Sequence, residues 1–148
     1  MHVESTDPNK QLVLALYQDC INSGRLEQLD DLIATEFAGP NGERGPAEFA
    51  GTVRGLRTGF PDIHFTIEDV IAEGDRVVVK WTWEGTHTGP FRGFSPTHKR
   101  VSNSGIGIYQ IGGGKITRAW LQTDRLGFNQ QIGVVPLNPV PTTQPARR

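Results

Sequence analysis

The chain has 148 residues and a formal net charge of −1, enough length for one domain with a real core and no electrostatic case for nucleic acid or an anionic membrane. A single cysteine, Cys20, excludes an internal disulfide framework and fits a reducing cytoplasm. No run approaches membrane-spanning length, and M-H-V-E-S-T-D-P at the start lacks the basic and apolar regions of a signal peptide.

Asp7-Pro8 predicts a helix start, a capping side chain followed by proline at the first helical position. Leu12, Val13, Leu16, Tyr17, Cys20 and Ile21 then fall on one helical face, so Cys20 reads as a buried bystander rather than a nucleophile. Ser23-Gly24 stops that helix. A second, short helix is expected through Leu26, Leu29, Leu32 and Ile33, with a short strand beginning at Glu36-Phe37 and a loop at Gly39-Pro40-Asn41-Gly42. Pro46 opens a third helix with Phe49, Val53 and Leu56 inward, and Pro61-Asp62 ends it just after Phe60.

A strand follows in which Ile63, Phe65 and Ile67 alternate with His64, Thr66 and Glu68, and Glu73-Gly74-Asp75 turns it into R-V-V-V-K-W-T-W-E-G-T-H. There Val77, Val79, Trp81, Trp83, Gly85 and His87 share one face, while Arg76, Lys80 and Glu84 take the other. Such an aromatic wall faces something enclosed, either core or ligand. After a Gly/Pro loop come a strand from Val101 to Ile111, a Gly112-Gly113-Gly114 turn and a strand from Lys115 to Asp124. A short helix through Leu126, Phe128, Gln131 and Ile132 closes the folded part. Residues 1–134 read as one domain, and the proline-rich stretch 135–148 as an extended tail with too little apolar mass to fold by itself. Three helices, a hairpin and two further strands make an α+β layout, a strongly bent antiparallel sheet curled into a cone against the helices, whose open interior is the natural ligand site.

The phrases F-P-D-I (Phe60–Ile63), I-A-E-G-D-R-V-V (Ile71–Val78), G-T-H-T-G (Gly85–Gly89) and F-R-G-F-S-P-T (Phe91–Thr97), with G-K-I (Gly114–Ile116) and D-R-L-G-F-N-Q-Q-I-G (Asp124–Gly133), occur in order along the chain. In that order and spacing it resembles the SnoaL-like polyketide cyclases of the nuclear transport factor 2-like superfamily. The resemblance implies the cone-shaped α+β fold, a cofactor-independent activity and a hydrophobic small-molecule substrate. The superfamily also holds isomerases, epoxide hydrolases, cofactor-free hydroxylases and proteins that only bind, so fold alone does not choose among them. In the cyclases resembled, a histidine on the penultimate strand and an aspartate on the last move protons during an intramolecular aldol closure. Matched on G-K-I, those positions fall at Gly107 and Leu121.

Asp124 is the one carboxylate of the last strand, and a bulge there would turn it inward. At the rim of an apolar cavity its ionised form would be disfavoured by desolvation, which suits acid/base work; alternatively it caps the helix that starts at Arg125. His87 has the parity to join Trp81 and Trp83 and to exchange a proton with a substrate oxygen, or else it satisfies loop carbonyls at a strand end. Tyr17, Phe60, Trp81, Trp83, Tyr109 and Trp120, with Leu121, are the candidate substrate-binding wall, Tyr17 also as a partner for a substrate oxygen. Gly105 and Gly107, on the face Tyr109 shares, leave volume that is either filled by a neighbour or free for substrate. The four histidines and scattered carboxylates show no metal-ligand spacing, and no cofactor motif is present.

The expected function is therefore a cofactor-independent cyclase or isomerase of polyketide-type secondary metabolism, with Asp124 and His87 as acid/base groups. A hydrolase or hydroxylase in the same pocket and a non-catalytic binder are the competing readings. The expected partner beyond substrate is a second copy of the chain, because the outward face of Val101 to Ile111 offers Ile106 and Ile108 for covering.

Overall fold

A computed structural model describes residues 7–134 of the chain; the tail expected at 135–148 lies outside the described residues. Helix α1 (Pro8–Ala15) starts as its sequence predicts, with the Asp7 carboxylate accepting the Asn9 and Lys10 backbone N–H groups at 2.9 and 3.2 Å. It does not continue as an α-helix. From Leu16 to Ile21 it widens into a π-helix, closed by Asn22 N–H donating to the Tyr17 carbonyl at 2.9 Å. Gly24, at φ +73°, then takes the left-handed turn that ends it.

A 3₁₀ turn (Leu26–Gln28) and a four-residue helix α2 (Leu29–Leu32) follow. Ile33, expected in that helix, instead begins strand β1 (Ile33–Ala38), where Ile33 and Phe37 are buried. Helix α3 runs Gly45–Gly59, and strands β2 (His64–Glu73), β3 (Arg76–Thr86), β4 (Arg100–Gly112) and β5 (Lys115–Thr123) lead to helix α4 (Arg125–Gln131). The sheet order is β1-β5-β4-β3-β2. It is curved and unclosed, and antiparallel throughout except at β1, which pairs parallel with β5. Among the described residues no helix is long and apolar enough to cross a membrane.

Two irregularities decide what faces inward. On β2, Ile67 pairs with Trp81 but Asp69 with Lys80, so Glu68 is an extra residue. On β5, Ile116 pairs with Ile111 but Arg118 with Gln110, so Thr117 is extra. Each bulge reverses the facing of everything beyond it, because side chains alternate with a period of two. The concave face then carries Phe65 and Ile67 of β2, Val77, Val79, Trp81 and Trp83 of β3, Tyr109 of β4 and Ala119 of β5, all buried against Val13, Leu16 and Tyr17 of the first helix.

The π-helical stretch is held from two sides. Asn22 exchanges a pair of hydrogen bonds with the backbone of Phe65, at 2.7 and 2.9 Å, and Arg57 of α3 donates to the Ile21 and Asn22 carbonyls at 2.8 and 3.0 Å. The carbonyls left over at that helix end thus find charged donors, and the first helix is tied to the edge of β2.

Candidate functional site

The concave face is sealed along β3 and open along part of β4 and β5. Strand β1 last pairs with β5 at Ala38↔Arg118, so among the described residues the stretch from Ala119 to Thr123 runs on without an outer strand. There the inward positions Asn103, Leu121 and Thr123 remain half-buried, whereas their counterparts on β3 are buried. The register sets Gly105 opposite both Trp81 and Thr123, and Gly107 opposite both Val79 and Leu121.

The two glycines do not leave empty room. A Cβ on Gly105 would come within 2.5 Å of the Trp81 ring and 2.9 Å of the Gln122 carbonyl oxygen. A Cβ on Gly107 would lie 3.0 Å from Cε2 and 3.3 Å from the hydroxyl of Tyr109. Each glycine is where it is because an aromatic ring lies across the strand there.

Beneath this open stretch the hydroxyls of Tyr17 and Tyr109 form a short, buried hydrogen bond, with the two rings edge to face at 6.1 Å. Burial pushes the Tyr17 phenol well above its usual range, helped by the Tyr109 oxygen beside it; the Trp81 indole is the smallest influence and acts the other way. Burial likewise pushes Tyr109 up to about 12, against the hydrogen bond from Tyr17. Both are therefore neutral hydrogen-bond donors at ordinary pH. The Trp81 indole N–H, buried alongside and turned toward Tyr17, has no acceptor at full hydrogen-bonding distance among the described residues. Cys20, on the same helix, is a poor nucleophile, since burial first and the nearby Asp19 and Glu27 second push its thiol up to about 11.

His87 sits apart from this pair. Phe60 is the hub of a second aromatic cluster, with ring centroids 5.0 Å from Trp83, 5.1 Å from His87, 5.5 Å from Phe91 and 5.9 Å from Phe128. His87 is fully buried and stacked on Phe60. Its Nδ1 accepts the Thr97 backbone N–H at 3.3 Å, so the ring proton belongs on Nε2, which has no partner. Phe60 and Trp83 are buried within this second cluster.

Two of the expected site residues are placed elsewhere. Asp124 is exposed, and its carboxylate accepts the Gly127 N–H at 2.8 Å as the cap of α4. The strand bulges at Thr117 and not beside Asp124, so beyond it Leu121 and Thr123 take the inward positions and Asp124 the other parity. For the same reason Trp120 leaves the concave face. In unbroken alternation it would share the inward side with Ile116; with Thr117 bulged out, Trp120 pairs with Ile108 on the outer face, between the guanidinium groups of Arg76 (5.1 Å) and Arg118 (4.8 Å). Among the described residues no three His, Cys, Asp or Glu side chains come together in a way that could hold a metal ion.

The family model of the SnoaL-like polyketide cyclases matches residues 11–132. The chain belongs to that family. It is 31% identical over 124 residues to the aklanonic acid methyl ester cyclase DnrD of Streptomyces peucetius, covering 78% of this chain and 84% of that protein. In structure it is similar to TsrD from Streptomyces laurentii, with a TM-score of 0.81 at 27% identity over 90% of this chain and all of the other (100%). It is also similar to a candidate polyketide cyclase from Acidithiobacillus ferrooxidans, with a TM-score of 0.77 at 31% identity over 88% and 97% of the two chains.

In this SnoaL-like chain, Gly107 and Leu121, the two positions that the resemblance aligns with the proton-transferring histidine and aspartate, are cross-strand partners on the concave face. They stand side by side, and neither can move a proton. The inward polar residues that sequence reading passed over are Asn103 and Thr123. Asn103 has the parity of Tyr109 and was readable from alternation. Thr123 becomes inward only through the bulge.

Proposed function

We propose that the protein is a cofactor-independent cyclase or isomerase of polyketide-type metabolism that holds a hydrophobic, oxygenated substrate against the open part of its concave face. The observation that carries this reading is the make-up of that surface. Its inward side chains are uncharged, with Asn103, Leu121 and Thr123 over Trp81 and two neutral phenols. Apolar area with a few fixed hydrogen-bonding groups suits a molecule that is mostly ring carbon and carbonyl. The likeness to DnrD, named as a cyclase of a polyketide methyl ester, points the same way.

The reaction would be an internal aldol closure. A carbon between two carbonyls, as its enol, bonds to a ketone carbon; the enol O–H proton leaves and the ketone oxygen takes one up. Substrate and product are isomers, so no redox partner is consumed, and the wall contributes by folding the chain into a reactive shape. A cytoplasmic setting belongs to this reading, as does a homodimer. For the latter the support is a row on the outer face, Ile71, Val78, Ile108 and Trp120, paired in register across β2, β3, β4 and β5.

The test is to incubate the protein with aklanonic acid methyl ester and related poly-β-ketone esters and to follow the product by mass and NMR. A ring-closed isomer of unchanged mass is expected. Tight binding with every candidate recovered unaltered would overturn the enzyme in favour of a binding protein, the reading that Gly107 and Leu121 favour.

A further inference from the structure

We propose that Tyr109 is the catalytic hydrogen-bond donor of this site and Tyr17 its positioning residue, together forming a subsite for an oxygen that carries or gains negative charge. The ligand class is an enolisable β-dicarbonyl or a phenol. This deepens the cyclase reading and rests on it for the word catalytic.

Four observations converge. First, the Tyr109 hydroxyl lies beside Gly107, 3.3 Å from where a Cβ would stand, so a phenol oxygen occupies the neighbourhood that the resemblance gives to a histidine. Second, two hydroxyls have two protons and their mutual bond uses one, so the pair has a donor to spare. Third, Tyr17 lies in the π-helical stretch Leu16–Ile21, a backbone form found frequently at functional sites. Asn22 and Arg57 hold that stretch rigidly from both sides. Fourth, the Trp81 indole N–H is buried against Tyr17 with no acceptor at full hydrogen-bonding distance among the described residues, a group that an added oxygen would satisfy.

Burial keeps both phenols protonated, so they donate rather than titrate. Donors fixed in a water-poor site stabilise developing charge without reorganising, and a chain in which Tyr17 donates to Tyr109 strengthens the outermost donor. Neither tyrosine gives up its proton in this arrangement. What changes is the affinity for the charged form of the bound oxygen.

The experiment compares 2-naphthol with naphthalene as probes of the full-length protein. Binding is followed by fluorescence, and the ionised fraction of bound naphthol by its absorption spectrum across pH. The protein should prefer naphthol by about tenfold or more, as expected for a hydrogen bond to a charged group, and bound naphthol should ionise at lower pH than free naphthol. Tyr109→Phe should lose both effects and Tyr17→Phe should weaken them, while each still binds naphthalene, which reports an intact fold. An unchanged naphthol preference in Tyr109→Phe, or bound naphthol no more acidic than free, overturns the subsite. On a turned-over polyketide ester, Tyr109→Phe should lower kcat more than it changes KM, and an unchanged kcat overturns the catalytic role alone. If no ester is turned over while the naphthol preference persists, the oxygen subsite stands, and the cyclase reading falls together with the word catalytic.

Discussion

Replacing Asp124 by alanine removes the carboxylate that accepts the Gly127 N–H and leaves the concave face as it is. The expected loss is about 1 kcal/mol of stability, the usual worth of a helix cap, seen as a lower urea midpoint, with turnover per folded molecule unchanged. Loss of turnover at full stability would return Asp124 to the chemistry. That carboxylate shows why single residues were the hardest part of the site to read from the chain. The D-R-L-G run is as consistent with an inward acid as with a cap, and the two differ only by where one extra residue sits in the strand before it. Tyr17 and Tyr109 were each legible as wall residues, from helical spacing and strand parity. Their meeting was not, because they are 92 positions apart in sequence and Tyr17 sits in a π-turn that helical spacing does not mark.

The strands announced themselves through alternation, and the order of helices, hairpin and meander could be read directly. Alternation fails where a bulge interrupts it, at Glu68 and at Thr117, and so did the assignment of Trp120. The edge strand β1 was underestimated since its pairing is parallel and distant in sequence, an arrangement no turn signal marks. The connection from β1 to α3 has its own anchor. Glu43, 5% exposed, accepts the Asn41 backbone N–H at 2.8 Å and the Thr52 hydroxyl at 2.8 Å. Burial alone would push its carboxyl up, but the hydrogen bonds from its own and the Asn41 backbone, from Thr52 and from the Asn41 side chain outweigh it and hold the group below the usual range. A carboxyl held low in the folded state binds protons more readily once unfolded. Its stabilisation is therefore complete above the ordinary carboxylate range and is lost as pH falls toward the lowered folded value. Between about pH 7 and about pH 3 the urea midpoint should fall less steeply in Glu43→Gln than in the parent protein. Parallel slopes would show that the loop anchor does not depend on the charge.

At the scale of the whole molecule, the outer face carries the feature that asks for a partner. Ile71 and Ile106 are 56% and 48% exposed, and Ile71 belongs to the apolar row that crosses four strands. Exposed apolar side chains grouped on one sheet face are the support for the proposed homodimer. Light scattering at micromolar concentration should give twice the mass of one chain, falling to one chain in Ile108→Glu; a parent protein of single-chain mass removes the dimer. The extra residue at Thr117 governs this surface and the cavity at once. Were that position drawn into the ladder instead of bulging from it, Trp120 would turn indoors and Leu121 out to the water. Smoothing this one bulge would therefore re-furnish the concave face and rewrite the outer face of the sheet together, with no change in composition.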